Sequence, residues 1–272
     1  MNELSETSYD FGGAKFDLEA PADREVVRFV LSQALFGEAT GVYCGKSLYA
    51  ARSLEAARFY LRQARQELGH LQLFAQIFRL LNLEPAPGHW VLRVMASHNN
   101  YYPLKVLMEH AVGEGMVLDV FKDLLLQTLP DDTEATQEIN KKLRVVCREE
   151  AEHVAWGERE TQYVLQTKPW LRMPFYGLVR LELWAVRLLV RRFKQGYEGH
   201  PVLSQLEPFL AHVSARVLAQ GRRLGYVPEK RPGISYTLVA CLWGILLLLR
   251  SQFARSRSRL DKTYLNELGF KA

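Results

Sequence analysis

Glu67-Leu68-Gly69-His70 and Glu150-Ala151-Glu152-His153 are the two stretches on which the reading of this chain turns. Each sets a carboxylate and an imidazole three residues apart. In a helix that spacing puts both side chains on one face, about one turn apart, so both can address the same ion. Carboxylate oxygen together with imidazole nitrogen suits first-row metals such as iron or manganese. One Glu-x-x-His arises readily as a surface contact. Two of them, on different long helical patterns and each near mid-helix, point to a shared centre.

The patterns around them are long. One starts after Pro21, with Asp23 and Glu25 in its first turn, and runs to about Ser53. A second, capped by Ser53, runs to Leu83 and is stopped by Glu84-Pro85-Ala86-Pro87-Gly88. The stretch from His89 to Tyr102 is a crossover. Pro103 opens a third helix that ends near Pro130, and Asp131-Asp132-Thr133 caps a fourth that continues to about Gln166. Strand-like alternation bounded by turn signals is absent. The expected fold is all-α, a four-helix bundle with additional C-terminal helices. Residues 1–20 read as an irregular lead-in, 21–166 as the bundle, and 167–272 as a basic, apolar-rich helical extension.

If two helices carry Glu-x-x-His, the other two should each supply one bridging carboxylate. The first offers Glu38, the only acid between Glu25 and Glu55. An acid isolated in an apolar helix must be paired or metal-bound to offset its desolvation. The third offers Glu109 and Glu114. Five residues apart, they lie about 140° apart around an α-helix, so both cannot face one metal pair equally. Glu114 is preferred because a glycine on each side leaves room. Glu109 and His110 then serve as supports or alternative ligands. The ligand set read from the sequence is Glu38, Glu67, His70, Glu114, Glu150 and His153. Glu149, Glu152 and Glu158 read as solvated or supporting acids, and His89, His98, His200 and His212 as ordinary loop or core histidines. Cys147, three residues before Glu150, reads as a packed thiol.

Glu, Glu-x-x-His, Glu, Glu-x-x-His over four helices resembles the ferritin-like di-iron carboxylate superfamily. The segment Arg148-Glu149-Glu150-Ala151-Glu152-His153-Val154-Ala155-Trp156-Gly157-Glu158 is similar to the fourth helix of the aldehyde-deformylating oxygenases. The helix-three pattern is similar to that of the tRNA hydroxylases acting on isopentenylated adenosine. The resemblance covers residues 23–166. It implies a ferritin-like bundle and two iron ions, with a manganese–iron pair as the alternative. It also implies dioxygen as co-substrate and electrons from an external donor.

Glycines give a second signal. Gly41, Gly45 and Gly157 fall on the ligand-bearing faces, one or two turns from Glu38 and His153. Mid-helix glycine costs roughly 0.5–1 kcal/mol relative to alanine. Their missing side chains would open a substrate pocket over the metals, or else allow close helix packing.

Charge gives a third. Residues 161–272 carry 18 Lys and Arg against 6 Asp and Glu, whereas residues 1–160 carry 17 against 24. The half with the proposed ligands is acidic and the last third is basic, which points that third to a membrane surface or a polyanion. Arg180, Arg187, Arg191 and Lys194 form one stripe beside Leu181, Trp184, Leu188 and Leu189. Ile234 to Leu249 is nearly all apolar, flanked by Lys230-Arg231 and by Arg250, Arg255, Arg257 and Arg259. Sixteen residues fall short of the ~20 that span a bilayer. A buried or interfacial helix is expected, with membrane-surface association through residues 180–259 set against a cover for the bundle or a homodimer seam. Three cysteines without CxxC pairing and an opening MNELSETSYDFGG with no apolar run fit a cytoplasmic protein, peripheral to the membrane at most.

The function expected is a di-iron oxygenase or oxidase acting on a small hydrophobic substrate such as a lipid or long-chain aldehyde. Two alternatives keep the site. One is a tRNA-modifying hydroxylase, with nucleic acid held by the basic third; the other is a ferroxidase of the iron-storage type.

Overall fold

The computed structural model describes residues 8–42, 48, 51–88, 101–194 and 199–252, and the helical expectation holds throughout: no strand occurs among them. Seven helices are described. They are α1 (Pro21–Gly41), α2 (Leu54–Leu80), α3 (Tyr102 to Thr128), α4 (Glu134–Thr167), α5 (Arg172–Lys194), α6 (Leu206–Leu224) and α7 (Ile234–Gln252).

The starts and stops follow local chemistry. Ser53 caps α2, its Oγ accepting from the Ala56 amide at 3.1 Å. Thr133 and Thr136 cap α4 reciprocally, each hydroxyl accepting the other's amide at 3.2 and 3.1 Å. α6 ends on Gly225 at φ +85°, a left-handed cap that glycine alone adopts without strain. The α-helical run of α1 ends at Gly41, Val42 and Leu48 are in 3₁₀ conformation and residues 51–53 are not helical; the expected continuation over residues 43–47 and 49–50 lies outside the described residues. The expected crossover, including His89 and His98, falls on undescribed residues 89–100.

α3 is the unexpected element. It runs as α-helix at Tyr102–Leu104, π-helix at Lys105–Gly113, α-helix at Glu114–Asp119, π-helix at Val120–Leu125 and α-helix at Leu126–Thr128. The wider i→i+5 register is rare and concentrates at functional positions.

The chain divides into two compact units. One comprises the described residues within 17–105 and 133–142, with 250–252. In it α1 packs on α2 around Val27, Leu31, Tyr60, Phe74 and Ile77, all fully buried. The other comprises the described residues within 8–16, 106–132 and 143–249. There α5 packs on α6, and Glu114–Asp119 of α3 packs on α6 as well. The lead-in is tied to α3 by the Tyr9 amide donating to Asp123 at 3.0 Å and the Phe16 amide donating to the Thr128 carbonyl at 2.8 Å.

Candidate metal centre

In α2 the buried stripe reads Tyr60, Gln63, Glu67, His70, Phe74, Ile77, alternating steps of three and four. In α4 it reads Ile139, Leu143, Val146, Glu150, His153, Gly157, Glu160, Val164, with the same steps. Both Glu-x-x-His pairs thus occupy positions that a packed helix ordinarily gives to aliphatic side chains. Exposure confirms the placement: Glu67 3%, His70 1%, Glu150 2% and His153 1%. α1 repeats the pattern with Val27, Leu31 and then Glu38 at 4%. Carboxylates this deep demand compensation.

Within the first unit described above, the compensation is local. His70 Nδ1 lies 2.9 Å from Glu38 Oε2 and 3.7 Å from Glu67 Oε2, and Gln63 Nε2 donates to Glu67 Oε1 at 3.3 Å. Glu38, Glu67 and His70 bring one ligand atom each to within 4.8 Å of one another, a buried group able to hold a metal ion. Gly41 contributes by having no side chain, since a Cβ there would lie 2.7 Å from the Glu67 carboxyl.

The second unit repeats the arrangement. His153 Nδ1 is 3.4 Å from Glu150 Oε2 and 4.0 Å from Glu114 Oε2. His110 Nδ1 is 3.0 Å from Glu114 Oε1, and its ring meets the edge of Trp156 at 5.1 Å. The separation argued for Glu109 and Glu114 does not hold. It assumed an α-helix, but Lys105–Gly113 is π-helical, where five residues make about one turn. Ligand atoms of Glu109, His110 and Glu114 accordingly lie within 4.8 Å of one another.

The glycines do not leave open space. A Cβ on Gly157 would lie 2.5 Å from His110 Cβ and 2.8 Å from the Ala111 amide, so Gly157 lets α4 and α3 touch. Gly41 is filled by Glu67 as described, and Gly45 lies outside the described residues. The pocket read from these positions is a packing device at the two that the structure describes.

Other acids and thiols sort plainly. Cys147 is held neutral, burial and then the nearby Glu150 pushing its thiol to about 12, so it is a packed thiol. His200 accepts the Val202 and Leu203 amides at 3.1 Å, and the His212 ring rests against Tyr9. Glu158 accepts from Gln220 at 2.9 Å and pairs with Arg223 at 3.2 Å. The sequence reading missed Glu182, whose two carboxylate oxygens are buried without a hydrogen-bond partner among the described residues and whose pKa burial lifts to about 8. It is the only acid between Glu160 and Glu198, the same isolation that singled out Glu38.

No family model matches the chain, and no curated protein or solved structure matches it either.

Proposed function

We propose that the chain is a ferritin-like di-iron carboxylate protein, with Glu38, Glu67, His70, Glu114, Glu150 and His153 as the ligands of two metal ions and an oxidase or oxygenase activity on a hydrophobic substrate. The observation that carries this reading is the repetition. Two helices each bury a Glu-x-x-His pair on their core stripe, and each pair is joined within its own unit by a carboxylate from a second helix. A lone buried Glu–His contact has no reason to recur with the same helical order.

The donor set fits first-row divalent ions: four carboxylates for charge, two imidazoles for softness. Two such ions, once bound, would supply dioxygen activation. The chain's own residues would do the rest. His110 orients Glu114 through its 3.0 Å contact. Gln63 steadies Glu67 from the side away from His70. Leu107, Ala111, Val112 and Trp156 exclude water around the α3–α4 ligands.

A second reading, iron oxidation without an organic substrate, is favoured by the filled spaces at Gly41 and Gly157. Reconstitution with Fe(II) followed by dioxygen uptake separates the two. Uptake that continues over many turnovers only when a long-chain aldehyde and a reductant are present supports the oxygenase. Uptake that stops at the iron stoichiometry, with ferric ion accumulating, supports the ferroxidase. No uptake with either removes both.

A further inference from the structure

α7 breaks the ordinary rule for an apolar helix. It carries no acid and a single base, Arg250, yet most of it faces outward. Ile234 is 81% exposed, Leu238 66%, Leu242 56%, Leu246 52% and Leu249 54%, a continuous stripe in steps of four, four, four and three. Trp243 stands beside it at 54%. A stripe of this size is far beyond the scattered apolar residues of an ordinary surface. The opposite side of α7 is seated on α5. A Cβ on Gly177 would lie 1.9 Å from the Ala240 carbonyl, and one on Gly244 would lie 3.0 Å from Leu178. The helix is therefore held along one face and exposed along the other.

The foot of the bare face is basic, and α5 carries exposed bases as well. On α5, exposed Trp184 and Leu188 alternate with exposed Arg180 and Arg187, and the one acid of that helix, Glu182, is buried. At the foot of α7 an open cleft of about 500 Å³ is lined by Arg180, Arg222 and Arg231 together with Leu218, Ile234 and Leu238. None of the three arginines pairs with a carboxylate among the described residues. Cationic heads over an apolar floor, opening onto an apolar stripe, form the complement of a phospholipid.

We propose that the outer face of α7, with Trp184 and Leu188 of α5, docks in the interfacial plane of an anionic phospholipid bilayer, and that the Arg180–Arg222–Arg231 cleft takes a lipid phosphate. Aromatic and aliphatic side chains flanked by arginine suit that depth. Ile234–Ser251 is long and apolar enough to cross a membrane by length and composition. Its seat on α5 argues for the in-plane arrangement, because a crossing α7 would carry Arg180 and Arg187 into hydrocarbon, where each charge is costly. A second copy of the chain is a poorer occupant, since self-association would oppose two basic rims.

The proposal stands apart from the metal reading and is tested on the full chain, with or without iron. Co-sedimentation is measured with vesicles of phosphatidylcholine alone and of equimolar phosphatidylcholine and phosphatidylglycerol, beside light-scattering mass determination. Wild type should bind the anionic vesicles, with a blue shift of tryptophan emission. Arg222→Gln with Arg231→Gln should weaken that binding roughly thirtyfold, at ~1 kcal/mol per basic side chain near the surface, and leave the melting temperature unchanged. Leu238→Gln with Leu242→Gln should weaken it at least as much. Failure to bind anionic vesicles, binding indifferent to both double variants, or a stable dimer that the leucine variants dissolve would overturn the proposal.

Discussion

The helices up to Thr167 put charge inside; the last helix leaves hydrocarbon outside. Glu38, Glu67, Glu150 and the two histidines occupy core stripes in α1, α2 and α4, whereas Leu238, Leu242 and Leu249 of α7 face outward. Each arrangement costs stability in a small, marginally stable fold. Buried carboxylates lose solvation, and bare leucines forgo burial worth roughly 1.5–3 kcal/mol each. Chains retain such costs where something else offsets them. For the inner charges the offset we propose is a metal, which these buried groups could hold, and for the outer leucines a lipid surface. Side chains of the wrong polarity for their position thus mark both regions, although they share no residue type.

The comparison can be broken at its seats. Gly177→Val should have the largest effect, because the added atoms have only the Ala240 backbone to meet. A loss of ~3 kcal/mol or more is expected, read as a lower melting temperature and increased dye binding as α7 lifts away. An unchanged melt would mean that α7 is not seated as described.

Gly157→Ala and Gly69→Ala test the inner region and should differ in sign. Alanine gains ~1 kcal/mol of helix propensity at either position. At Gly157 the clash with His110 and Ala111 outweighs it, by about 1–3 kcal/mol, and iron capacity should fall with it. At Gly69 nothing lies within 4 Å, so stability should rise. Destabilisation at both would show that helix backbone strain, not packing, sets the response.

Glu182→Gln should have an effect of comparable size that depends on pH. Burial raises the folded-state pKa to about 8, above the ordinary value of 4.5. The unfolded chain then loses its proton first, so this group's contribution to stability falls as pH rises from about 4.5 to about 8 and is flat outside that window. The amide should remove the slope and stabilise the protein by a few kcal/mol at neutral pH. Parallel stability–pH curves for the two proteins would mean that Glu182 is hydrated or paired.

These effects also mark what the sequence made legible. Ser53, Thr133 and both Glu-x-x-His pairs could be placed because caps and three-four spacing are local rules, and the helices obeyed them. The register of α3 could not. Apolar spacing reports which face is buried but not whether an amide reaches back four residues or five, and that choice decides whether Glu109 joins Glu114. The glycines were legible as unusual, but their role turned on what faces them: Glu67 before Gly41 and His110 before Gly157. For α7 the composition announced an apolar helix, and only packing could say which side was covered.

Anaerobic titration of the metal-free chain with Fe(II) tests most directly the proposal that the two Glu-x-x-His motifs hold two ions. Two ions per chain should bind, and His70→Ala and His153→Ala should each lower that number in a protein that stays folded. A well-folded wild type that binds one ion or none would contradict the dimetal centre.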